Sequence, residues 1–382
     1  MKITAITATP VSIPTTRPCA WSQGKGHGFS RTIVQIETDR GAVGLGETAD
    51  AGAAQIINQS FAPVLIGLDI ANRVEAQSRC LNGQGDFGQL ANPLEAKAFV
   101  AIEMALWDLL GKRASLPLYQ LLGGARRKRA VFGGYAYTVD LDQGFKLADV
   151  ADEMTRLACD SIASSGSRLF EFKVGRHGVD VDIETVLAVR SAVGSKIALG
   201  VDANMGYSYE EARYFLKHTA SVLDFVEEPV ASLSQMQTLR KDFNVQMSSH
   251  CTAVETLQSY PRIDAAVGDL HMDGGIAGTI RTAVAVAALG KRFWLRSCLE
   301  AGISWSAMCH LGMALPELDR PGQTLINWME SDLICGPRWS VRDGGVIPPE
   351  QPGLGVELDL VALEHYHRHY LEVGEMDYFS DP

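Results

Sequence analysis

The sequence predicts a parallel (β/α) barrel joined to a smaller α+β domain, and three observations predict it. First, Leu169-Phe-Glu-Phe-Lys-Val-Gly175, Leu199-Gly-Val-Asp-Ala-Asn204 and Asp224-Phe-Val-Glu-Glu-Pro229 are short apolar runs that end in charged or carboxamide residues, with helical stretches between them. Short apolar strands alternating with helices mark βαβ units and a parallel sheet. Second, the same rhythm continues from Val131, with strand ends expected at Tyr135–Tyr137, Lys173, Asp202–Asn204, Glu227, Ser248–His250, Asp269–His271, Arg296–Ser297 and Asn327. That is close to the count of a TIM-type barrel. Third, residues 1 to about 125 read instead as a sheet followed by helices. In a parallel αβ barrel the C-terminal strand ends carry the chemistry. Here those ends offer Lys173, Asp202, Asn204, Glu227 and Glu228, a lysine beside successive acids, which is the make-up of a divalent-metal site with a base next to it.

Taken in order, residues 2–14 alternate and reach Pro14, as an edge strand does. Residues 15–30 hold Trp21, Lys25, His27 and several glycines, the composition of a loop: a solvated turn or a mobile flap over a site. Arg31–Thr38 reads as a strand, Asp39-Arg-Gly41 as a hairpin turn, and Ala42–Glu47 as the returning strand. Helices follow to about residue 80, then a second loop over 81–92. A helix is expected from about Pro93 to Lys112, with Asn92 as its cap and Phe99, Ile102, Ala105, Leu106 and Leu109 at helical spacing. Residues 345–382 look like a return segment plus a short helix, on which His365, His367 and His369 are expected at the surface.

Composition narrows the function classes. The 382 residues suffice for one large domain and one smaller one, and 46% hydrophobic with 21% charged residues is ordinary for a soluble globular chain. A net charge of -11 argues against nucleic acid or an anionic membrane as partner. It leaves room for an anionic substrate, because a bound cation inverts the local field. Seven cysteines without a C-x-x-C pair read as reduced thiols of a cytoplasmic protein. No apolar run reaches membrane-spanning length, and Met1-Lys-Ile-Thr opens a strand rather than a signal segment.

Four markers carry a resemblance in this order and spacing: Ala101-Ile-Glu-Met-Ala-Leu-Trp-Asp-Leu-Leu-Gly-Lys112, Val201-Asp-Ala-Asn204, Val226-Glu-Glu-Pro229 and Gly274-Gly275. Over nearly the whole chain the sequence resembles the enolase superfamily, in its mandelate racemase and glucarate dehydratase branch. The opening around Gly44-Leu-Gly-Glu47 and the ending Pro352-Gly-Leu-Gly-Val-Glu-Leu-Asp359 look most like glucarate dehydratases. The resemblance implies a modified (β/α)7β barrel over 126–345 and a capping domain over 1–125, joined by the tail 346–382. It also implies Mg²⁺ (or Mn²⁺), a small-molecule carboxylate substrate, and a base that removes the proton alpha to that carboxylate. Such a protein is an acid-sugar dehydratase, with a racemase or epimerase, or a diverged carboxylate binder without turnover, as the rival readings. An even-numbered homo-oligomer is the expected assembly.

Residue by residue, Asp202 and Glu227 match the family's first two metal ligands. The third slot falls on His250, or on Ser249 in the other register; imidazole suits Mn²⁺, Fe²⁺ or Zn²⁺ better than Mg²⁺. The base motif Lys-x-Lys is replaced by Glu171-Phe-Lys173. Residues two apart share a strand face, and a carboxylate there favours a charged lysine. Three readings stay open: the metal compensates, Glu171 is itself a base or ligand, or Lys173 is only ion-paired. Asp269 matches the aspartate of the opposite face. The histidine position falls on Arg296, which cannot accept a proton but can grip a carboxylate, or simply pair with Asp269. His271 is the alternative acid there. Asn204, His27, Tyr135 and Asn327 are the expected substrate contacts.

Overall fold

The computed structural model describes residues 1–81, 93–318, 320–337 and 339–376. The loop expected over 81–92 and the Asn92 cap thus lie, beyond residue 81, outside the described residues.

At the N-terminus, β1 (Ile3–Trp21), β2 (Gly24–Thr38) and β3 (Val43–Ala49) form a three-stranded antiparallel sheet in the order β1-β2-β3. The expected turn at residues 39–41 is there, with Gly41 at φ 72. The expected loop at 15–30 is not. After a register shift beyond Pro14, Cys19, Ala20 and Trp21 pair with Gly26, Lys25 and Gly24, so the hairpin runs on to a tip at Ser22-Gln23. The glycines that suggested a loop occupy the buried side of a two-stranded ribbon. At Gly28 any side chain would collide with Met376 and the Ile13 carbonyl.

Behind the sheet lie a helical run over 53–65, α1 (Arg73–Cys80) and α2 (Pro93–Ala114). The helical spacing of α2 buries Phe99, Ile102, Ala105, Leu106 and Leu109 against Ile6, Val34, Ile36, Phe61 and Leu65. This cluster is separate from the larger core of the barrel.

The barrel strands are β4 (Gly134–Ala136), β5 (Leu169–Lys173), β6 (Ala198–Asp202), β7 (Phe225–Glu227), β8 (Gln246–Ser249), β9 (Ala265–Gly268) and β10 (Arg292–Leu295). They are parallel neighbours in chain order. The connecting helices are α3 (Val150–Ser165), α4 (Val179–Val193), α5 (Tyr209–Thr219), α6 (Leu233–Asp242), α7 (Val254–Ser259), α8 (Gly275–Ala288) and α9 (Gly302–Ala314). The eighth strand is reduced to two residues. Gln323 N–H donates to Leu295 O of β10 (2.9 Å), Gly133 N–H donates to Gly322 O (2.9 Å), and Gly322 N–H donates to Val131 O (3.1 Å), which closes the ring. Closure therefore falls four residues before the expected strand end at Asn327, which lies exposed in a 3-10 turn over Ile326–Trp328.

Two buried carboxylates dock the N-terminal elements onto barrel helices. Glu103 of α2 accepts from Ile276 N (2.9 Å) and Ala277 N (3.0 Å) in the first turn of α8, and from Trp107 Nε1 (2.6 Å). A Cβ at Gly275 would sit 2.5 Å from this carboxylate, so the glycine is required by the contact. Glu47 of β3 accepts from Ala301 N (2.8 Å) and Ser304 N (2.9 Å) at the start of α9, and faces Arg31 Nε at 3.3 Å. Helix N-termini leave N–H groups unpaired, and a carboxylate there satisfies donors and dipole together. Finally α10 (Leu360–Val373) packs on β1. His365 is exposed, as expected. His367 and His369 are instead half-buried, their Nδ1 atoms 2.8 Å from the Pro10 and Ser12 carbonyls. No helix among the described residues is long and apolar enough to cross a membrane.

Candidate functional site

Parallel register sets the site. Lys173 pairs with Asp202, Asp202 with Glu227, and Glu227 with Ser248, so one row of residues crosses the C-terminal ends of four adjacent strands. Lys173 Nζ lies 2.5 Å from Asp202 Oδ2, donates to Asn204 Oδ1, and sits 5.7 Å from the centre of the Tyr135 ring. Asn204 reaches it from a left-handed backbone at φ 44, held by its N–H on Asp202 Oδ1 (2.8 Å). Glu228 turns away at φ 44 and accepts from His250 N at 2.6 Å.

Asp202, Glu227 and His250 bring one ligand atom each within 4.8 Å of one another. Asp202 and Glu227 are 1% and 0% exposed, and Glu171, 2% exposed, feels the charge of both. Burial, then repulsion from Glu227 and Asp202, pushes the Glu171 carboxyl well above its ordinary range. The raised proton affinity of Glu171 beside two further buried carboxylates is an electrostatic argument for a cation at this place, and hard oxygen donors fit a Mg²⁺-like ion. His250 fits less directly. Arg296 Nη1 donates to His250 Nδ1 at 3.0 Å, so the ring proton lies on Nε2, which donates to Glu227 Oε1 at 2.9 Å. A metal on Nε2 would turn the Nδ1 proton towards the guanidinium. As placed, His250 bridges Arg296 to Glu227 while Asp202 and Glu227 supply the carboxylate oxygens.

Glu171 does not pair with Lys173. It accepts from Gln323 Nε2 (2.8 Å), on the closing segment, and faces Arg320, which stacks over the Phe225 and Trp294 rings at 3.7 and 4.3 Å. The ion pair of Lys173 is with Asp202 instead. Opposite, Arg296 Nε binds Asp269 Oδ2 at 3.0 Å and the Cys298 thiol donates to the same oxygen at 3.1 Å. Burial alone would raise the Asp269 carboxyl, but the Arg296 guanidinium, His271 and the hydrogen bonds from Cys298 and the His271 backbone together outweigh it, so the group is held well below the usual carboxylate range. His271 is 2% exposed beside it, and burial drives its pKa down to about 4.

A cavity of about 550 Å³ joins these residues. Tyr135, Lys173, Asp202, Asn204, His250, Asp269, His271 and Arg296, all singled out from the sequence, line it. Glu171 and Glu227 lie just beneath it, through Gln323. Two expected contacts are absent from the wall: His27 is exposed on the outer side of the hairpin, because residues of a strand alternate faces, and Asn327 is exposed past the closing segment. Trp21, Phe29, Gln323, Cys298, Lys97 and Met376 line it instead. Gln323 was findable only by placing the eighth strand on Gly322-Gln323, whose single bridge has no apolar run to mark it.

With this geometry in place, comparison with known proteins defines the class. Residues 3–123 match the family model for the mandelate racemase / muconate lactonizing enzyme N-terminal domain, and residues 153–362 match the enolase C-terminal domain-like model. The chain is 30% identical to a chloromuconate cycloisomerase from Cupriavidus necator, over 96% of this chain and 100% of that one. It is 26% identical to a probable glucarate dehydratase from Streptomyces coelicolor, over 97% and 92% of the two chains. Among solved structures, an enolase from Pseudomonas fluorescens Pf0-1 with bound magnesium, potassium and tartrate superposes with a TM-score of 0.86 at 26% identity, over 99% of this chain and 95% of that one. The chain belongs to the mandelate racemase / muconate lactonizing branch of the enolase superfamily.

Proposed function

We propose that the protein is a divalent-metal-dependent hydro-lyase that removes the proton alpha to a carboxylate and dehydrates an acid sugar to a 2-keto acid. The observation that carries the reading is the strand-end row, in which Lys173 stands against Asp202 and Asn204 beside the Asp202–Glu227–His250 cluster. Mg²⁺, or Mn²⁺, would be held by Asp202 and Glu227, with His250 as a third ligand only if Arg296 moves, and would supply charge stabilisation for the enediolate. Lys173 in its amine form takes the alpha proton; Asp202 and Asn204 fix where its Nζ points. The C–H electron pair passes into the enediolate and returns to expel the hydroxyl on the next carbon. That hydroxyl leaves as water with the proton then carried by the Lys173 ammonium, and the resulting enol tautomerises to the 2-keto acid. Burial keeps the Cys298 thiol protonated, and its hydrogen bond goes to Asp269 Oδ2 on the wall opposite Lys173.

The wall opposite Lys173 offers only weak bases: Arg296 cannot accept a proton, Asp269 is stabilised as its carboxylate by Arg296, and burial pulls His271 down to about 4. This argues against racemisation, which needs proton exchange on both faces. A diverged carboxylate binder without turnover stays as a rival, and the 30% identity to a chloromuconate cycloisomerase adds cycloisomerisation as another. We expect the protein to work in the cytoplasm as an even-numbered homo-oligomer, without nucleic acid or membrane as partner. Calorimetric titration of metal-stripped protein with Mg²⁺ should give about one ion per chain, and a screen of aldonates and aldarates should yield a 2-keto acid. No divalent ion bound, or no 2-keto acid from any acid sugar, would overturn the reading.

A further inference from the structure

The cavity has a second polar wall, opposite the strand-end row and built largely from the N-terminal elements. His271 faces it, 98% buried by its 2% exposure, with no hydrogen-bond partner for either ring nitrogen among the described residues. The charges it feels are Asp269 beside it and Arg31 and Lys97 across the domain boundary. Arg31 is committed: it donates to Leu299 O at 2.8 Å and to Cys298 O, and pairs with Glu47. Lys97 is not. Its own carbonyl is fixed by Thr48 Oγ1 at 2.8 Å, but its ammonium stands 3.8 Å from Asp50 Oδ2, beyond hydrogen-bond reach. Asp50 holds an unusual backbone for its type, φ 88, and binds Gly52 N through Oδ1, leaving Oδ2 towards Lys97.

The chemistry of this wall is mixed rather than basic. A neutral imidazole offers one N–H and one lone pair. Lys97 adds donors, and Asp50 and Glu375 add carboxylates on the same cavity. A second substrate carboxylate could use the donors but would face both acids and the imidazole lone pair. Hydroxyl groups, which donate and accept, can serve every one of these partners. We propose that Lys97, Asp50 and His271 form a second subsite that holds the hydroxylated far end of a polyhydroxy monocarboxylate, so that the substrate is of the aldonate class rather than a dicarboxylate. This rests on the proposed function, which seats the reacting carboxylate at the strand-end row.

The test is calorimetric binding to the Mg²⁺-loaded protein. Panels of four- to six-carbon aldonates are compared with the aldarates of matching configuration, and with lactate, which is too short to span the cavity and reports the strand-end row alone. At least one aldonate should bind tenfold or more tighter than its aldarate. Lys97→Met, at a half-exposed position where folding is not at stake, should weaken that aldonate about tenfold and leave lactate binding where it is. His271→Phe should do the same. An aldarate that binds as tightly as its aldonate, or aldonate binding unmoved in Lys97→Met, overturns the subsite while lactate binding leaves the strand-end row standing. If neither lactate nor any acid sugar binds, the proposed function falls and the subsite with it.

Discussion

Glu103 and Glu227 are both interior carboxylates, 4% and 0% exposed, yet they stand in opposite electrical situations. Glu103 spends its oxygens on two backbone N–H groups and an indole N–H, with Arg73 3.8 Å away, and no other carboxylate is among the groups that act on it. Glu227 shares its surroundings with Asp202 and Glu171, accepts from His250 Nε2 and Gln323 Nε2, and feels the Arg296 and Arg320 guanidinium groups without a direct ion pair to either. The first carboxylate is complete as the chain folds. The second belongs to a cluster of like charges that Lys173 and Arg320 only partly offset. Burial is common to both, so burial does not mark a site; the marker is like charge brought together without enough cations.

The largest effect that can break this contrast is expected at the strand ends. Glu227→Gln should abolish divalent-ion binding and, if the protein is the proposed lyase, lower turnover by on the order of 10³-fold, the scale seen when charge stabilisation is removed from a site. Metal-free Glu227→Gln should also melt higher than metal-free wild type, because one of the crowded charges is gone. At a hundredfold excess over Kd, an ion stabilises a protein by about 2.7 kcal/mol. Mg²⁺ should therefore raise the wild-type Tm and leave that of the variant in place. A variant that still takes up one Mg²⁺ per chain would remove Glu227 from the ligand set.

Glu103→Ala should do the reverse. It strips partners from Ile276 N, Ala277 N and Trp107 Nε1. Unpaired buried donors of this kind cost about 3 kcal/mol together. Denaturant unfolding should register that loss while Mg²⁺ stoichiometry stays unchanged. A lost metal site with intact stability would mean that the two groups of carboxylates are not separable.

Asp182 is intermediate between them. It is 3% exposed, accepting from Tyr207 Oη at 2.6 Å and Gly175 N at 2.9 Å, with no cation among the groups acting on it, and burial pushes its pKa from 3.8 up to about 6. A carboxyl whose folded pKa is raised contributes stability that is fully present below pH 3.8 and is lost as pH rises through about 6. A rise from 3.8 to about 6 sets an upper size of about 3 kcal/mol. Between pH 4 and pH 7, Asp182→Asn should therefore lose less stability than wild type. Parallel curves for the two proteins would show that Asp182 is ionised in the fold.

How far the sequence discloses all this depends on what kind of signal each feature leaves. The barrel strands are legible because short apolar runs of three to five residues end in chemistry at regular intervals, and register then places Lys173, Asp202 and Glu227 side by side. Gln323 is hidden because the eighth strand is one bridge long, and the nearby apolar Leu325-Ile-Asn-Trp328 draws the eye past it into a 3-10 turn. The hairpin at 15–30 is hidden because glycines that favour a loop also suit a ribbon packed closely on its neighbours. Other features are visible as sequence but not as physics. Glu103 and Gly275 stand out as separate markers far apart in the chain, and only the fold shows the carboxylate of one filling the space the other leaves. The Glu171 side chain is the converse case. Its place two residues before Lys173 invites a pairing on the strand face, but Gln323 and Arg320 draw it to the barrel interior.

The smallest predicted effect lies at the hairpin tip, where the two domains meet over the cavity. Ser22 Oγ donates to Ala203 O at 2.7 Å and Gln23 Nε2 to Asn204 O at 2.5 Å, so the tip grips the backbone that carries Asn204, which in turn holds Lys173. One neutral hydrogen bond contributes only about 1 kcal/mol. Ser22→Ala should therefore barely move global stability. It loosens a segment whose strained residues, Asn204 at φ 44 and Met205 at φ 62, depend on their surroundings to stay put. Metal affinity set by Asp202 and Glu227 should be unchanged, while substrate affinity and turnover fall by a few-fold. Equal losses in metal binding would instead mean that the tip supports the whole strand-end row, carboxylates included, and the contrast between self-sufficient and cation-dependent acids would have to be redrawn around the hairpin.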